Sequence, residues 1–173
     1  MTGTDGEYER LLHWAYCGEV FGAVVVRELI DSRAYPAQAT PLQLFFELED
    51  TTRQGLEQLV EPDRLVAAGE QARIEGLRYA HNAARLSWRD LMTETATMSG
   101  TALPDFHRLR QLGPSAASAI LDAAVEHEEC LLRFATLSSA GDQPGADNTI
   151  RHFLETHPGP ATTARTPGRG PAV

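Results

Sequence analysis

Lysine is absent from this sequence of 173 residues, and all 15 basic residues are arginine. The missing ammonium groups exclude Schiff-base catalysis through lysine and the lysine-containing phosphate loop of many nucleotide-binding proteins. Aspartate and glutamate together number 24, which gives a formal charge of −9. Because a surface of this charge repels phosphate backbones, we expect no nucleic-acid partner.

Long apolar runs are also missing, although 42% of the residues are hydrophobic. No run approaches the roughly 18 residues of a membrane-spanning helix, and the first residues do not have the pattern of a secretory signal. The two cysteines, Cys17 and Cys130, stand alone in helical patterns, as is usual in a reducing compartment. The sequence therefore predicts a cytoplasmic protein with no membrane partner.

Strand-like alternation of apolar and polar residues is absent, whereas apolar residues recur at intervals of three and four. The pattern predicts an all-α bundle with one domain at 1–157 and a disordered, Pro/Gly-rich tail at 158–173. The third helix carries an apolar stripe of Ile74, Leu77, His81 and Ala84. The helices are predicted at about 8–30, 41–61, 63–85, 87–98, 101–113, 114–139 and 148–157.

The stretch AILDAAVEHEECLLRFA, residues 119–135, has four consecutive ionisable residues within an apolar helical pattern. On a helix, the residues three, four and seven positions away report which face a side chain occupies. Glu126 and Glu129 fall on a polar stripe and are predicted to be exposed. His127 and Glu128 have only apolar and cysteine neighbours, which predicts that both point inward.

Two glutamates on earlier helices pass the same test. Glu19 has only apolar and tyrosine neighbours, and Glu49 has largely apolar ones, whereas Glu47 lies among polar residues. If the first two helices form an antiparallel hairpin around position 34, Glu19 and Glu49 lie at the same depth. We therefore expect three carboxylates and one imidazole to converge in the middle of the bundle.

Buried carboxylates need compensation, because an unpaired buried charge is strongly unfavourable. A metal ion can bind them, they can share protons as general acids and bases, or they can pair with hydroxyl or arginine donors such as Arg53 for Glu49. Oxygen ligands with one imidazole suit iron or manganese better than zinc. The candidate metal ligands are Glu19, Glu49, His127 and Glu128.

Three short segments resemble the ferritin-like superfamily, in particular its small actinobacterial members: GEVFG, LEDTTRQGL and VEHEECLLRFA. The similarity extends over about 8–156 and implies a ferritin-like four-helix bundle with additional short helices, which in that superfamily holds two metal ions. Glu19 and Glu49 match the glutamates of its first two helices. An arginine-only basic set with many Ala, Gly and Pro residues is typical of GC-rich genomes and favours a role in secondary metabolism.

The sequence departs from the superfamily pattern of Glu-x-x-His. Thr52 stands three residues after Glu49, and Leu131 stands three residues after Glu128, where histidine would complete each motif. His127 instead precedes Glu128 directly. A two-metal site, a single metal and a metal-free pocket all remain open.

Three functions follow from this residue set. The first is iron- or manganese-dependent oxidation of a small organic molecule, with Glu19, Glu49, His127 and Glu128 as metal ligands. The second is a metal-free acid/base catalyst of isomerisation, cyclisation or dehydration, or a small-molecule binder. In this second function Glu19 or Glu128 would be the catalytic group that titrates, and Tyr16, Thr52 and His127 would orient the substrate. The third is a non-catalytic helical protein, either a monomer or a homodimer.

Overall fold

The computed structural model describes residues 3–158, without the side chains of 3–5, 63–64 and 66–68. The predicted disordered tail lies outside the described residues from position 159 onward. Every element in the described range is helical, which confirms the all-α prediction there. The α-helices are α1 (Gly3–Asp31), α2 (Ala39–Glu57), α3 (Pro62–Ala83), α4 (Trp88–Leu112), α5 (Ser118–Ala140) and α6 (Gln143–Thr156).

Helix α1 packs against α2, α3 and α4. Helix α5 packs against α4, α2 and α6. The helices α1, α2, α5 and α4 therefore form a closed ring of neighbours, with α3 outside α1 and α6 against α5 and α2. No helix among the described residues has both the length and the apolarity that a membrane crossing needs.

Helix α4 is one continuous helix, so the prediction of two helices at 87–98 and 101–113 was wrong. It begins where Ser87 accepts a hydrogen bond from the backbone of Asp90, and it continues through Pro104 to Leu112. An internal proline costs about 3 kcal/mol. The apolar face of α4 continues past Pro104 with Phe106 and Leu109, both buried, and we attribute the continuity to this packing.

The apolar stripe expected on α3 faces outward. Ile74 and Leu77 are 53% and 50% exposed, and His81 and Ala84 are exposed as well. The buried face consists of small residues instead, because α3 lies very close to α1. A Cβ atom on Gly76 would be only 3.1 Å from the Phe21 carbonyl oxygen. The buried residues of this face are Gly69, Ala72, Gly76, Ala80 and Ala83.

Several helix ends differ from the predicted positions. Helix α2 ends at Glu57 rather than at 61, and Pro62 lies in the first turn of α3. Helix α6 begins at Gln143, five residues before the predicted start, because the Asp142 side chain accepts a hydrogen bond from the Gly145 backbone. Helix α5 ends at Ala140, directly before Gly141, whose φ of 93° is a left-handed conformation that favours glycine.

The interior consists of two apolar layers separated by a polar one. On every helix of the ring, buried polar residues come between buried apolar residues of the two layers in sequence; the buried Ser138 near the end of α5 lies outside this polar layer. The first apolar layer includes Val26, Leu29, Phe45, Leu48, Met92 and Phe134. The second apolar layer includes Leu12, Ala15, Leu56, Phe106, Leu109 and Leu121. The polar layer comprises Glu19, Glu49, Thr52, Thr95, Ser99, His127 and Glu128.

Candidate functional site

The structure separates the four ionisable residues of α5 as the sequence predicts. His127 and Glu128 are 1% and 7% exposed, whereas Glu126 and Glu129 lie on the surface. Glu126 pairs there with His157, with 2.7 Å between the carboxylate oxygen and Nε2. The prediction for this segment is therefore confirmed, and its two inward residues belong to the polar layer.

Helices α1 and α2 bring Glu19 and Glu49 together. Both side chains are buried, at 2% and 4% exposure, and their carboxyl groups are hydrogen-bonded to each other. Burial raises the pKa of both groups well above the ordinary value, and the nearby Glu128 charge adds to the effect. A hydrogen bond between two carboxyl groups requires a proton on one of them. In the ionised state, a cation would have to take the proton's place.

Gly22 provides the space for the Glu49 carboxyl group. A Cβ atom on Gly22 would lie 2.5 Å from Glu49 Cδ, which is too close for a real contact. The alternative partner considered for Glu49 was wrong, because Arg53 pairs with Asp50 and Glu57 at 2.7 Å each. Glu49 is thus held in the interior without an arginine.

His127 is positioned by its Nδ1 side. Nδ1 lies 3.0 Å from Thr52 Oγ1, and the ring also donates to the Leu48 carbonyl. Burial lowers the pKa of His127 to about 3, so the ring is neutral. With the proton assigned to Nδ1 from these hydrogen bonds, the lone pair of Nε2 points into the polar layer, 3.4 Å from Glu19 Oε2.

Two carboxylate oxygens in this layer have no hydrogen-bond partner. Among the described residues, the buried side-chain atoms in this condition are Glu19 Oε2 and Glu128 Oε2. Ser99 donates a hydrogen bond to the Glu128 carboxylate, but burial still raises its pKa to about 7. An unsatisfied buried oxygen costs about 1–3 kcal/mol, and more when it is charged.

The free atoms fit a metal ion. Glu19, His127 and Glu128 each offer one ligand atom, and these three atoms lie within 4.8 Å of one another. Two ligands about 2.1 Å from a common ion lie about 3.0–3.4 Å apart in octahedral or tetrahedral geometry, which matches the 3.4 Å between Nε2 and Oε2. Two carboxylate oxygens with one imidazole suit iron or manganese. The hydroxyl next to Nδ1 and the hydrogen bond from the ring to a backbone carbonyl are the usual supports of a metal-binding histidine.

A cavity of about 880 Å³ lies beside these groups, among α1, α3 and α4. Glu19, Glu49, His127 and Glu128 contribute to its wall, which is otherwise mainly apolar. Gly18 is exposed within it, and a Cβ atom there would meet no other atom within 4 Å. The polar layer is therefore next to a space that can hold a small molecule.

Comparison with protein-family models, curated proteins and solved structures finds no match for this chain. The interpretation of the site therefore depends on its geometry.

Tyr16 and Thr52, which the sequence suggested as substrate-orienting residues, do not line the cavity. Tyr16 is buried in the second apolar layer, with its hydroxyl 4.0 Å from the position of a Cβ on Gly69. Thr52 lies behind His127 and positions the ring. Thr52 therefore contacts His127 of the site but does not line the cavity.

Sequence reasoning missed the contribution of α4, which is made by Thr95 and Ser99. Both hydroxyl groups are buried, and both residues line the cavity. Residues three, four and seven positions from Ser99 include Met92, Ala96 and Phe106. The neighbour test used for charged residues would have identified Ser99 if it had been applied to hydroxyl residues as well.

Proposed function

We propose that Glu19, His127 and Glu128 bind an iron or manganese ion, and that the protein oxidises a small organic molecule held in the adjoining cavity. The observation that carries this proposal is the pair of buried, partnerless oxygens, Glu19 Oε2 and Glu128 Oε2, beside the free Nε2 of His127. One cation satisfies all three atoms at once. No described arginine forms an ion pair with either carboxylate.

The arrangement of helices supports a ferritin-like interpretation of the fold. In this proposal α1, α2, α4 and α5 are the four bundle helices, and α3 is inserted between the second and third. Three of the four contribute a glutamate to the polar layer, whereas α4 contributes Thr95 and Ser99. Because α4 brings no carboxylate, we propose one metal ion per chain with Glu49 available as a further ligand.

The residues around the ion have separate roles in this proposal. The bound metal would supply redox chemistry with oxygen at a site that keeps coordination positions open. Thr52 and the Leu48 carbonyl hold the imidazole in one orientation, and Ser99 fixes one oxygen of Glu128. The apolar walls exclude water from the substrate.

Elemental analysis of protein expressed with added iron and manganese tests the proposal. We expect about one equivalent of metal per chain in the wild type and almost none in the double variant Glu19→Ala, Glu128→Ala. Oxygen consumption with candidate substrates would follow only for metal-loaded protein.

The matched control is the double variant Glu47→Ala, Glu129→Ala. It removes two glutamates that lie beside site residues in sequence but are exposed. It should retain the wild-type metal content. Absence of metal from the wild type, or equal metal in both double variants, would contradict the proposed metal site.

A second function is supported by the hydrogen bond between Glu19 and Glu49. Two buried carboxyl groups that share a proton have the raised pKa values that acid/base catalysis near neutral pH requires. This metal-free function predicts that Glu49→Gln removes activity while metal content is zero in every variant. Elemental analysis therefore distinguishes the two functions before any substrate is known.

A further inference from the structure

The cavity beside the polar layer is longer than a metal site requires and has two different ends. At the open end, Trp14 and Met98 are 38% and 43% exposed and Gly18 is exposed. At the other end the lining residues belong to the first apolar layer and are almost fully buried. Those residues are Val25, Val26, Leu29, Phe45 and Leu91. The cavity is therefore a groove that is open at one end and closed at the other.

A side-chain bridge links α3 to α4 beside the groove. The Tyr79 hydroxyl on α3 donates to Glu94 on α4, at 2.9 Å, and the Tyr79 ring packs against Phe21 at 5.5 Å between centroids. An α-helix with its side chains is about 10–12 Å wide. It is therefore too wide to fit beneath side chains that are hydrogen-bonded to each other from neighbouring helices. The closed end therefore excludes a helix of a second copy and admits only a slim molecule that enters end-on.

The closed end has no charged lining residue among those described. Thr95 and Glu49 line the cavity one helical turn from Leu91 and Phe45, and both already have partners: Thr95 donates to the Leu91 carbonyl, and Glu49 is hydrogen-bonded to Glu19. A polar group placed there would lose its hydration without gaining a partner, which is unfavourable. Apart from the residues of the polar layer, the charged and amide side chains of the lining lie towards the open end: Arg10, His13, Gln71 and Glu75.

We propose that the groove binds a slim hydrocarbon chain of the alkyl, acyl or isoprenoid class, with any polar group at the open end. Leu29 lies ten residues beyond Glu19 on α1, about 15 Å by helical rise, so the chain continues well past the carboxylates. The segment next to Glu19 and Glu128 is then an internal part of the chain. This inference deepens the proposed function, on which it rests for the claim that the bound chain is the molecule oxidised.

Gly18 offers a variant that fills the groove without disturbing the fold. A Cβ atom on Gly18 meets no atom within 4 Å, so Gly18→Leu introduces no clash at its Cβ and replaces glycine with a better helix former. Gly6→Leu is the matched control. It makes the same change on the same helix at an exposed position with equally open surroundings, and Gly6 does not line the cavity.

Trp14 reports binding because it lies at the open end, against Phe106. The other tryptophan, Trp88, lies outside the cavity lining, where its ring packs on Tyr35. A Trp88→Phe background therefore leaves Trp14 as the single fluorescent reporter. The probes are straight-chain 1-alkanols from hexanol to dodecanol, titrated into this background with and without each leucine substitution.

We expect affinity to rise about four-fold for each added methylene group until the closed end is full. Gly18→Leu should weaken binding of the longer alkanols at least ten-fold, and Gly6→Leu should leave it unchanged. Affinity that is independent of chain length, or equal in both leucine variants, would overturn the proposal. A wild-type dimer that Gly18→Leu converts to monomer would also overturn it, because a second copy would then cover the groove.

Metal content measured on the same proteins separates this inference from the proposed function. Chain-length-dependent binding by a protein that takes up no metal supports the hydrocarbon groove and contradicts the metal site. One equivalent of metal without chain-length-dependent binding supports the metal site and contradicts the hydrocarbon groove.

Discussion

The polar layer and the apolar layers on either side of it are buried to nearly the same extent but differ in what burial does for stability. Leu109 and Phe134 are completely buried and contribute about 1.5–3 kcal/mol each by leaving water. Glu19 is 2% exposed, and one of its oxygens has no hydrogen-bond partner. Burial of such a group costs free energy unless a proton or a cation compensates it. The comparison shows that packing alone does not explain how the protein tolerates the burial of the polar layer.

The largest predicted effect comes from breaking an apolar layer. Phe134→Ala should lower the free energy of unfolding by about 3–5 kcal/mol, because it leaves a cavity in the first apolar layer. Urea denaturation of the metal-free protein measures this loss. The double variant Glu19→Leu, Glu49→Leu in the polar layer should be neutral or stabilising in the same assay, since apolar replacement of a whole set of buried ionic groups often is. Equal destabilisation by both variants would remove the distinction between the layers.

Ionisation of the polar layer should weaken the metal-free protein as pH rises. The folded-state pKa of Glu128 is raised to about 7 from the usual 4.5, so the unfolded chain loses this proton at lower pH than the folded one. Stability is complete below about pH 4.5 and falls by about 3 kcal/mol by pH 7, at 1.36 kcal/mol per pKa unit.

Urea denaturation across pH 4–8, in the presence of a chelator, measures this slope. Glu128→Gln should reduce it, and the exposed control Glu129→Gln should not. Wild-type stability that increases with pH over this window would contradict the prediction.

Thr52→Val sharpens the comparison by removing one supporting contact without removing a ligand. Loss of the hydroxyl next to His127 Nδ1 should weaken metal binding about 10–100-fold, as changes behind metal-binding histidines usually do. Competition with a chelator of known affinity measures the change. Thr51→Val, at the neighbouring position of α2, is the matched control and should bind metal as the wild type does.

The smallest effects are expected for two glycines of α1. Gly18→Ala should stabilise the protein by up to about 1 kcal/mol, because alanine is the better helix former and the site is open. Gly22→Ala should instead destabilise it, since the new Cβ atom overlaps the Glu49 carboxyl group. Thermal denaturation of the two variants compares them directly. Equal shifts of the melting temperature in the two variants would mean that Glu49 does not need the space at Gly22.

Much of the fold and the site could be predicted because helical periodicity reports burial. The test on neighbouring positions correctly placed Glu19, His127 and Glu128 inside and Glu129 outside. It depends on the period of the helix and on the polarity of each neighbour, both of which the sequence contains.

The errors came where a different physical effect decided the outcome. On α3, close approach to α1 selects small residues, so the large apolar residues Ile74 and Leu77 do not mark the buried face. On α4, packing outweighs the local cost of Pro104. The contacts of Ser99 with Glu128 and of the Leu48 carbonyl with His127 join different helices, and these contacts could not be read from local spacing.

The stability of metal-stripped protein with and without Mn²⁺ at pH 7.5 tests the central claim that the polar layer is a metal site. Mn²⁺ at about one hundred times its dissociation constant should raise the free energy of unfolding by about 3 kcal/mol, because only the folded chain holds the three ligands together. The double variant Glu19→Ala, Glu128→Ala should show no increase. No increase in the wild type with either Mn²⁺ or Fe²⁺, or an equal increase in the double variant, would contradict the account.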